Sequence, residues 1–299
     1  MNKKTIKLKM IPEEPALIVD NTLVVADLHF GIECELGLEK LSEKIMVDTI
    51  KKINDIGLKN RVKRIIILGD LKHRISRRNS IGNSIGDSMG NSMGGSIGDP
   101  RGNLTEKLSE LEIELMEKRI ENKIPELLDT LKKNFEVILV KGNHDGGMRM
   151  NCEIVDEIVI GDIAFIHGHK WPSERLINSR PKYLVVGHIH PAISFKDSFG
   201  YKTKKKVWVV SKFRRRILKY EKIGKLREDM KILIMPAFNN YIIGLPVNEL
   251  TKKPQIKPQI KPQIGIKLGS MLKEHNLKID DSEIYLLNGI KIGKVKELN

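Results

Sequence analysis

Residues 137–147 read VILVKGNHDGG. Four apolar residues, Val137–Val140, give way within two positions to Asn143, His144 and Asp145. A short Val/Ile-rich run closed by glycine reads as a buried β-strand opening into a polar loop. Four more runs share this form. Leu23–Ala26 ends in Asp27-Leu28-His29, Ile65–Leu68 in Gly69-Asp70, Ile163–Ile166 in His167-Gly168-His169, and Tyr183–Val186 in Gly187-His188-Ile189-His190. Seven of the eight histidines lie in or just beyond these strand ends, His275 being the exception.

Between the strands lie helical patterns. Leu38, Leu41, Ile45, Ile50, Ile53 and Ile56 fall near a 3–4 spacing, and Gly57 suits the C-terminal cap. A second helix is expected from about Thr105, with Leu104, Leu108, Leu111 and Leu115 in register, and Pro125 is expected to open a third. Strand–helix alternation predicts an α/β fold. After Gly200 the pattern turns to strands. Val207–Val210 and Ile232–Met235 flank a basic stretch, and Glu283–Leu287, Asn288-Gly289 and Ile290–Val295 predict a closing hairpin.

The 299 residues read as a single domain, 1–299, with low-complexity surface insertions at about 76–103 and 251–264. The first holds five tandem NSIG-like units from Asn79 to Gly98, and the second holds KPQI three times from Lys253 to Ile264. Loop cost rises slowly with length, so a fold tolerates such expansions. No apolar run approaches the roughly 18–20 residues of a membrane span, and the basic N-terminus lacks the apolar stretch of a secretory signal. Two cysteines, Cys34 and Cys152, are too few for a disulfide framework and read as apolar fillers. Trp171 and Trp208 read as packing residues. A cytoplasmic protein is expected.

The net charge of +15 is local. Residues 201–231 hold thirteen Lys or Arg against Glu221, Glu228 and Asp229, and residues 251–267 add five lysines without an acid. The rest of the chain is balanced. Clustered lysines favour a DNA or RNA substrate bound through 201–231, although charge alone decides neither fold nor chemistry.

In open α/β sheets, ligand sites form beyond the carboxyl ends of the strands, so the five clusters are expected to converge. Aspartate, asparagine and imidazole without thiolate suit Mn, Fe, Zn or Ni, not a sulfur-bound structural zinc. The donors are too many for one ion with an open position, whereas a carboxylate-bridged pair uses them all. Glycine beside Asp70, Asn143, His167 and His188 is expected to let the backbone turn sharply there.

The ordered set ADLH, LGD, GNHD, IHGH and GHIH resembles the calcineurin-like metallophosphoesterases over most of residues 15–245. LVVADLHFG, ILGDLKH, VKGNHDGG, GHIHPAI and MPAFN at 235–239 are similar to the archaeal SbcD/Mre11-related phosphoesterases and the bacterial ligase-associated DNA endonucleases. The resemblance implies a sandwich of two mixed β-sheets flanked by helices, with the metal site at the strands' carboxyl ends. It implies two divalent ions, Mn first, with Fe, Ni or Zn as alternatives. Asp27, His29 and His190 would hold one ion, and Asn143, His167 and His188 the other, with Asp70 bridging. His144 would face the phosphate and protonate the leaving oxygen after attack by a metal-bridging hydroxide. Asp145 would orient His144 or cap its turn; both readings stand at this point. His73 and His169 are candidate substrate-facing residues. Gly69-Asp70-Leu71-Lys72-His73 lacks the second aspartate of the common GDxxD and the arginine of GDxxDRG, which argues against a phosphoprotein phosphatase. The expected function is phosphoester hydrolysis, by a diesterase acting on nucleic acid or nucleotides. Rival readings are a small-molecule or cyclic-nucleotide phosphodiesterase and a non-catalytic binding module. Protein partners are not readable.

Overall fold

Two parallel ladders in strict register set every strand end that carries a polar cluster at one level. The computed structural model describes residues 6–75, 110–147, 150–215, 226–250 and 276–298, so both repeat insertions lie outside the described residues. The first sheet comprises β1 (Leu8–Met10), β2 (Ala16–Val19), β3 (Thr22–Ala26), β4 (Arg64–Leu68), β5 (Glu136–Val140) and β6 (Glu153–Val155), laid side by side in chain order. β1, β2 and β3 are antiparallel; β3 to β6 are parallel. The chain then crosses at Asp156 into a second sheet. It comprises β7 (Glu157–Ile160), β8 (Ile163–Ile166), β9 (Tyr183–Val186), β10 (Pro191–Lys196), β11 (Lys202–Ser211), β12 (Lys231–Ile234), β13 (Leu245–Pro246), β14 (Glu283–Leu286) and β15 (Lys291–Lys294). Its order is β13-β10-β11-β12-β9-β8-β7, with β14 paired to β11 and β15 to β14.

Register positions the polar clusters. Ala26 pairs with Leu68 and Leu68 with Val140, so the three loops after β3, β4 and β5 leave the first sheet together. Ile166 pairs with Val186 and Val186 with Ile234, which does the same in the second sheet.

Alternation makes the layers. Leu23, Val25, Ile65, Ile67, Val137 and Leu139 pack against α2 (Ser42–Lys59) and α3 (Glu110–Lys132), which follow the short α1 (Ile32–Glu35). Their neighbours Val24, Ala26, Ile66, Leu68, Ile138 and Val140 meet Ile163, Phe165, Val185, Trp208 and Leu233 of the second sheet. The outer face of that sheet, with Ala164, Val186, Val209 and Ile234, packs under α4 (Glu174–Ser179), α5 (Val247–Leu250) and the β14–β15 hairpin. Each fully buried Leu, Ile or Phe contributes roughly 1.5–3 kcal/mol. The fold is thus an α/β sandwich of two mixed sheets flanked by helices. Among the described residues no helix is long and apolar enough to cross a membrane.

The five apolar runs are strands, the closing hairpin is present, and β11 pairs antiparallel with β12 across the basic stretch. Trp208 is buried between the sheets and Trp171 stacks on Phe213. The helices differ from expectation. Leu38 and Leu41 precede α2, which starts at Ser42, and Gly57 lies within its last turn, with Asn60 as the cap. A Cβ at Gly57 would meet the Phe135 ring, so the glycine serves close packing rather than termination. Pro125 opens no new helix; it sits inside α3. Leu111 and Leu115 are exposed, and the stripe facing the sheet is Ile120, Ile124, Leu127, Leu128 and Leu131. Burial of that stripe on both sides of Pro125 carries the helix through a residue that removes one backbone hydrogen bond. Leu104, Thr105 and Leu108 lie outside the described residues.

Because Pro125 is tolerated rather than needed, Pro125→Ala should stabilise the fold by roughly 1–3 kcal/mol. Urea unfolding checks this; a lower midpoint would show that the proline shapes the packing of α3.

Candidate metal centre

Asp27, at 0% exposure, and Asp70, at 2%, are carboxylates buried in the crease where the loops of the two sheets meet. Burying a carboxylate costs several kcal/mol unless donors or cations face it. Asp27 accepts from the His188 backbone N–H at 3.0 Å, and Asp70 from the His144 N–H at 2.9 Å. Imidazoles supply the rest.

The side-chain donors form two groups. In the first, His29 Nε2 lies 3.2 Å from His190 Nε2, which lies 3.5 Å from Asp27 Oδ1. In the second, His167 Nε2 lies 3.1 Å from His188 Nδ1 and 3.1 Å from Asn143 Oδ1. Asp70 Oδ2 stands between them, 3.5 Å from His29 Nε2 and 3.2 Å from His167 Nε2. Ligand atoms at ~2.1 Å from one ion lie about 3.0–3.4 Å from each other, so each group has the spacing of a coordination shell. Asp27, His29 and His190 form one set able to hold an ion, Asp70, His167 and His188 another, and His29, His73 and His144 a third, which has no carboxylate and shares His29 with the first. The donor chemistry fits a divalent cation: oxygen and nitrogen atoms only, arranged around two carboxylates.

Charge says the same. Burial, with His190 close by, holds His29 well below the usual imidazole range, and burial takes His188 down to about 4. Both are neutral nitrogen donors at physiological pH. His167 is also buried, yet Asp70 and Asp27 outweigh burial and raise it to about 9. Asp70 correspondingly sits well below the carboxylate range, because His167 and His29 overcome its burial. Without a cation, a protonated imidazole serves as the positive charge the carboxylates require; a divalent ion supplies it better.

The backbone is strained to build this arrangement. Asp27, His29, Asp70, His188 and His190 have φ of 57°, 42°, 44°, 73° and 46°. These five are the majority of the nine non-glycine residues with positive φ among the described residues. Left-handed conformations cost L-residues about 1–2 kcal/mol each, and such strain concentrates at functional sites. The glycines serve proximity as much as turning. A Cβ at Gly142 would strike the Asp70 backbone nitrogen and carboxylate, and one at Gly187 the Asp27 carboxylate.

His144 is half-buried and outside the two carboxylate-bearing sets, although it is grouped with His29 and His73. Its Nδ1 accepts the Arg74 backbone N–H at 3.1 Å, so the neutral ring carries its proton on Nε2. Its ring stacks on His73 at 5.4 Å, and burial lowers its pKa. Asp145 accepts from Gly142 N at 2.7 Å and Leu71 N at 2.8 Å, which is the capping role. His73 was expected to face substrate, but it is buried, with Nδ1 3.2 Å from His29 Nδ1 and Nε2 3.1 Å from Glu35 Oε1. His169 is half-buried with its Nδ1 unpartnered, its ring 5.2 Å from that of His167; burial, then His167, lowers it to about 4. It lines a cavity of about 540 Å³ with His167, Lys170, Trp171, Ser173 and Arg175.

Sequence reading passed over the residues that brace the loops. MPAFN supplies Asn239, which donates to Leu28 O at 2.7 Å, while Phe238 N donates to Ala26 O at 2.8 Å. Lys206 is half-buried and donates to Ala237 O at 2.7 Å and to Asn239 O, clamping the same loop. Burial, then the nearby Lys52, lowers it to about 8. Glu35 carried no motif signal. Cys34 and Cys152 are unpaired, and burial pushes the Cys34 thiol up to about 11.

The sequence profile of the calcineurin-like phosphoesterases matches residues 21–223, which include both donor groups. The chain belongs to the calcineurin-like phosphoesterase family. As a calcineurin-like phosphoesterase it is a metal-dependent hydrolase of phosphoester bonds. The crystal structure of the Pseudomonas putida nuclease MPE is similar over 95% of this chain and 98% of that one, at 16% identity and a TM-score of 0.48. No curated relative matches the chain.

If Gly142 provides the room that Asp70 needs, Gly142→Ala should weaken Mn²⁺ binding about 10–100-fold while the far-UV circular dichroism is kept. Isothermal titration with Mn²⁺ reads this; unchanged affinity would show that the Asp70 loop yields.

Proposed function

We propose that this phosphoesterase is a dinuclear phosphodiesterase acting on nucleic acid or nucleotides. The observation that carries the reading is the position of Asp70 Oδ2 between two separate donor sets. In this reading Asp27, His29 and His190 hold one ion, Asn143, His167 and His188 the other, and Asp70 both. Bound divalent ions, with Mn²⁺ first and Fe, Ni or Zn as alternatives, would neutralise the phosphate oxygens and lower the pKa of a water to near neutrality.

The protein's own part is orientation and proton supply. His167 Nδ1, 3.3 Å from Leu68 O and 3.5 Å from Asp27 Oδ1, is oriented by them, which leaves Nε2 as the ligating atom. His144, with Nδ1 engaged by Arg74 N, has Nε2–H left to stabilise charge developing on the leaving oxygen. Its lowered pKa keeps the ring neutral near pH 7, so Nε2–H of the ring oriented by Arg74 N donates a hydrogen bond to the leaving oxygen, and full proton transfer would come from the imidazolium form that a bound anionic phosphate favours.

A diester of nucleic acid is favoured by exposed Lys202, Lys204 and Lys205 on β11, whose Lys206 end braces the loop behind Asp27. MPAFN and the motif flanks favour the SbcD-related branch. Two unpaired thiols favour a reducing, cytoplasmic setting. A small-substrate reading has one observation of its own: the cavity beside His167 and His169 has the volume of a nucleotide site.

A panel of aryl mono- and diesters, cyclic nucleotides, DNA and RNA with Mn²⁺ tests the reading; turnover of monoesters alone would overturn it. Asp70→Asn should lose both ions and all turnover. His144→Ala should keep its metal content, read by mass spectrometry, and lose about 10²–10⁴ in rate; metal loss there would contradict its assigned role.

A further inference from the structure

Among the described residues four aromatic rings are exposed, Phe195, Phe199, Tyr201 and Tyr241. Three sit on the β10–β11 hairpin, and the fourth on the loop joining MPAFN to β13. That loop abuts the centre, because Leu245 N donates to His190 O at 2.8 Å. The two most exposed rings are at the hairpin tip, Phe199 at 87% and Tyr201 at 75%.

The tip is rigid. The Asp197 carboxylate accepts from both Phe199 N and Tyr201 N at 2.9 Å, and Asp197 N donates to Tyr201 O at 3.0 Å. A turn tied this way fixes the backbone from which two water-exposed rings project, an exposure that calls for a function. Cations surround the rings. Lys196 is directly opposite Lys202, Lys204 opposite Ser194, and Lys205 opposite Ile193. Lys202 pairs with Glu249 at 2.8 Å, while Lys196, Lys204 and Lys205 are exposed. Like charges opposite one another destabilise a strand pair, a cost that an anionic ligand relieves. Lysines alone would serve to protect a sheet edge, but edge protection calls for charge and gives no reason for the rings.

We propose that the β10–β11 hairpin is a platform for a single-stranded stretch of nucleic acid. Bases stack on Phe199 and Tyr201, and phosphates lie along Lys196 and Lys204, which share one face of the hairpin, with Lys205 on the opposite face. Alternating rings and lysines are the means by which single strands are held without sequence preference. Geometry links the platform to the centre. β10 begins at the residue after His190 and runs six residues to Lys196, about 20 Å. Single-strand sites of about 4–16 nucleotides cover that distance. This inference rests on the nucleic-acid reading of the centre.

The test is fluorescence anisotropy with labelled oligothymidine, an abasic strand of equal length and a duplex, in EDTA so that nothing is cut. The wild type should bind oligothymidine about tenfold or more tighter than the abasic strand. F199S/Y201S should lose that preference but keep its salt dependence and its turnover of an aryl diester. Lys196→Ala and Lys204→Ala should each lower the salt slope by about 0.7, whereas Lys205→Ala, on the opposite face, should leave it unchanged. If the double variant keeps wild-type affinity for oligothymidine, the platform falls and the nucleic-acid reading stands. If the wild type turns over the aryl diester yet binds no strand at low salt, both fall. A dimer broken by F199S/Y201S, with strand affinity unchanged, would assign the rings to self-association and overturn the platform.

Discussion

Two carboxylates, Asp27 and Asp70, lie buried in one crease, and the surrounding structure is arranged to make that tolerable. Isolated, each would be expelled or protonated. Backbone N–H groups of His188 and His144 cap them, and a ring of imidazoles supplies neutral donors and one compensating positive charge. The strained φ values fall on the residues that close this arrangement. Their cost is local, while the two sheets that hold the strand ends are packed on three apolar layers. A stiff core is what permits a strained, highly charged rim.

That division explains what was legible in the sequence. β8 and β9 begin and end at the residues their apolar runs predict, because a fully buried strand must be apolar at every position. The donors were legible for the same reason: polar residues immediately after such runs have nowhere to go but the strand ends. Helices gave less. In α3 the exposed Leu111 and Leu115 mimic a buried stripe, and Pro125 mimics a boundary. Tertiary burial of Ile120 to Leu131 overrides both signals, and no local pattern encodes it.

Contacts between distant segments were invisible. His73 looked accessible as a neighbour of Asp70, yet the chain places Glu35 behind it and His29 beside it. Glu35 lies on a four-residue helix without any motif. Asn239 and Lys206 read as a branch marker and one of many lysines. In space they hold the Asp27 loop against the second sheet. The glycines beside the donors were legible as positions, but at Gly142 and Gly187 the reason is room for a carboxylate, which only the assembled crease reveals.

Charge is the property most altered by the fold. In sequence, 201–231 is one basic stretch; in space its described part divides by burial. Lys206 is half-buried, and its two bonds to backbone carbonyls make it a clamp rather than a contact for phosphate. Arg227 is tied to Asp229 at 2.8 Å. Lys204 and Lys205 are exposed toward the hairpin tip, where the strands outrun the core and the rings become exposed, and Lys212 and Lys231 are exposed away from it. β10 therefore does two things with one rigid rod. Its first residue follows a donor of the centre, and its last reaches the stacking surface. On the proposed platform, a strand bound at the tip would reach the centre at a distance fixed by β-geometry rather than by a flexible tether. Fixed geometry of that kind selects where along a strand the scissile phosphate falls, so the hairpin would govern position of cleavage as well as affinity.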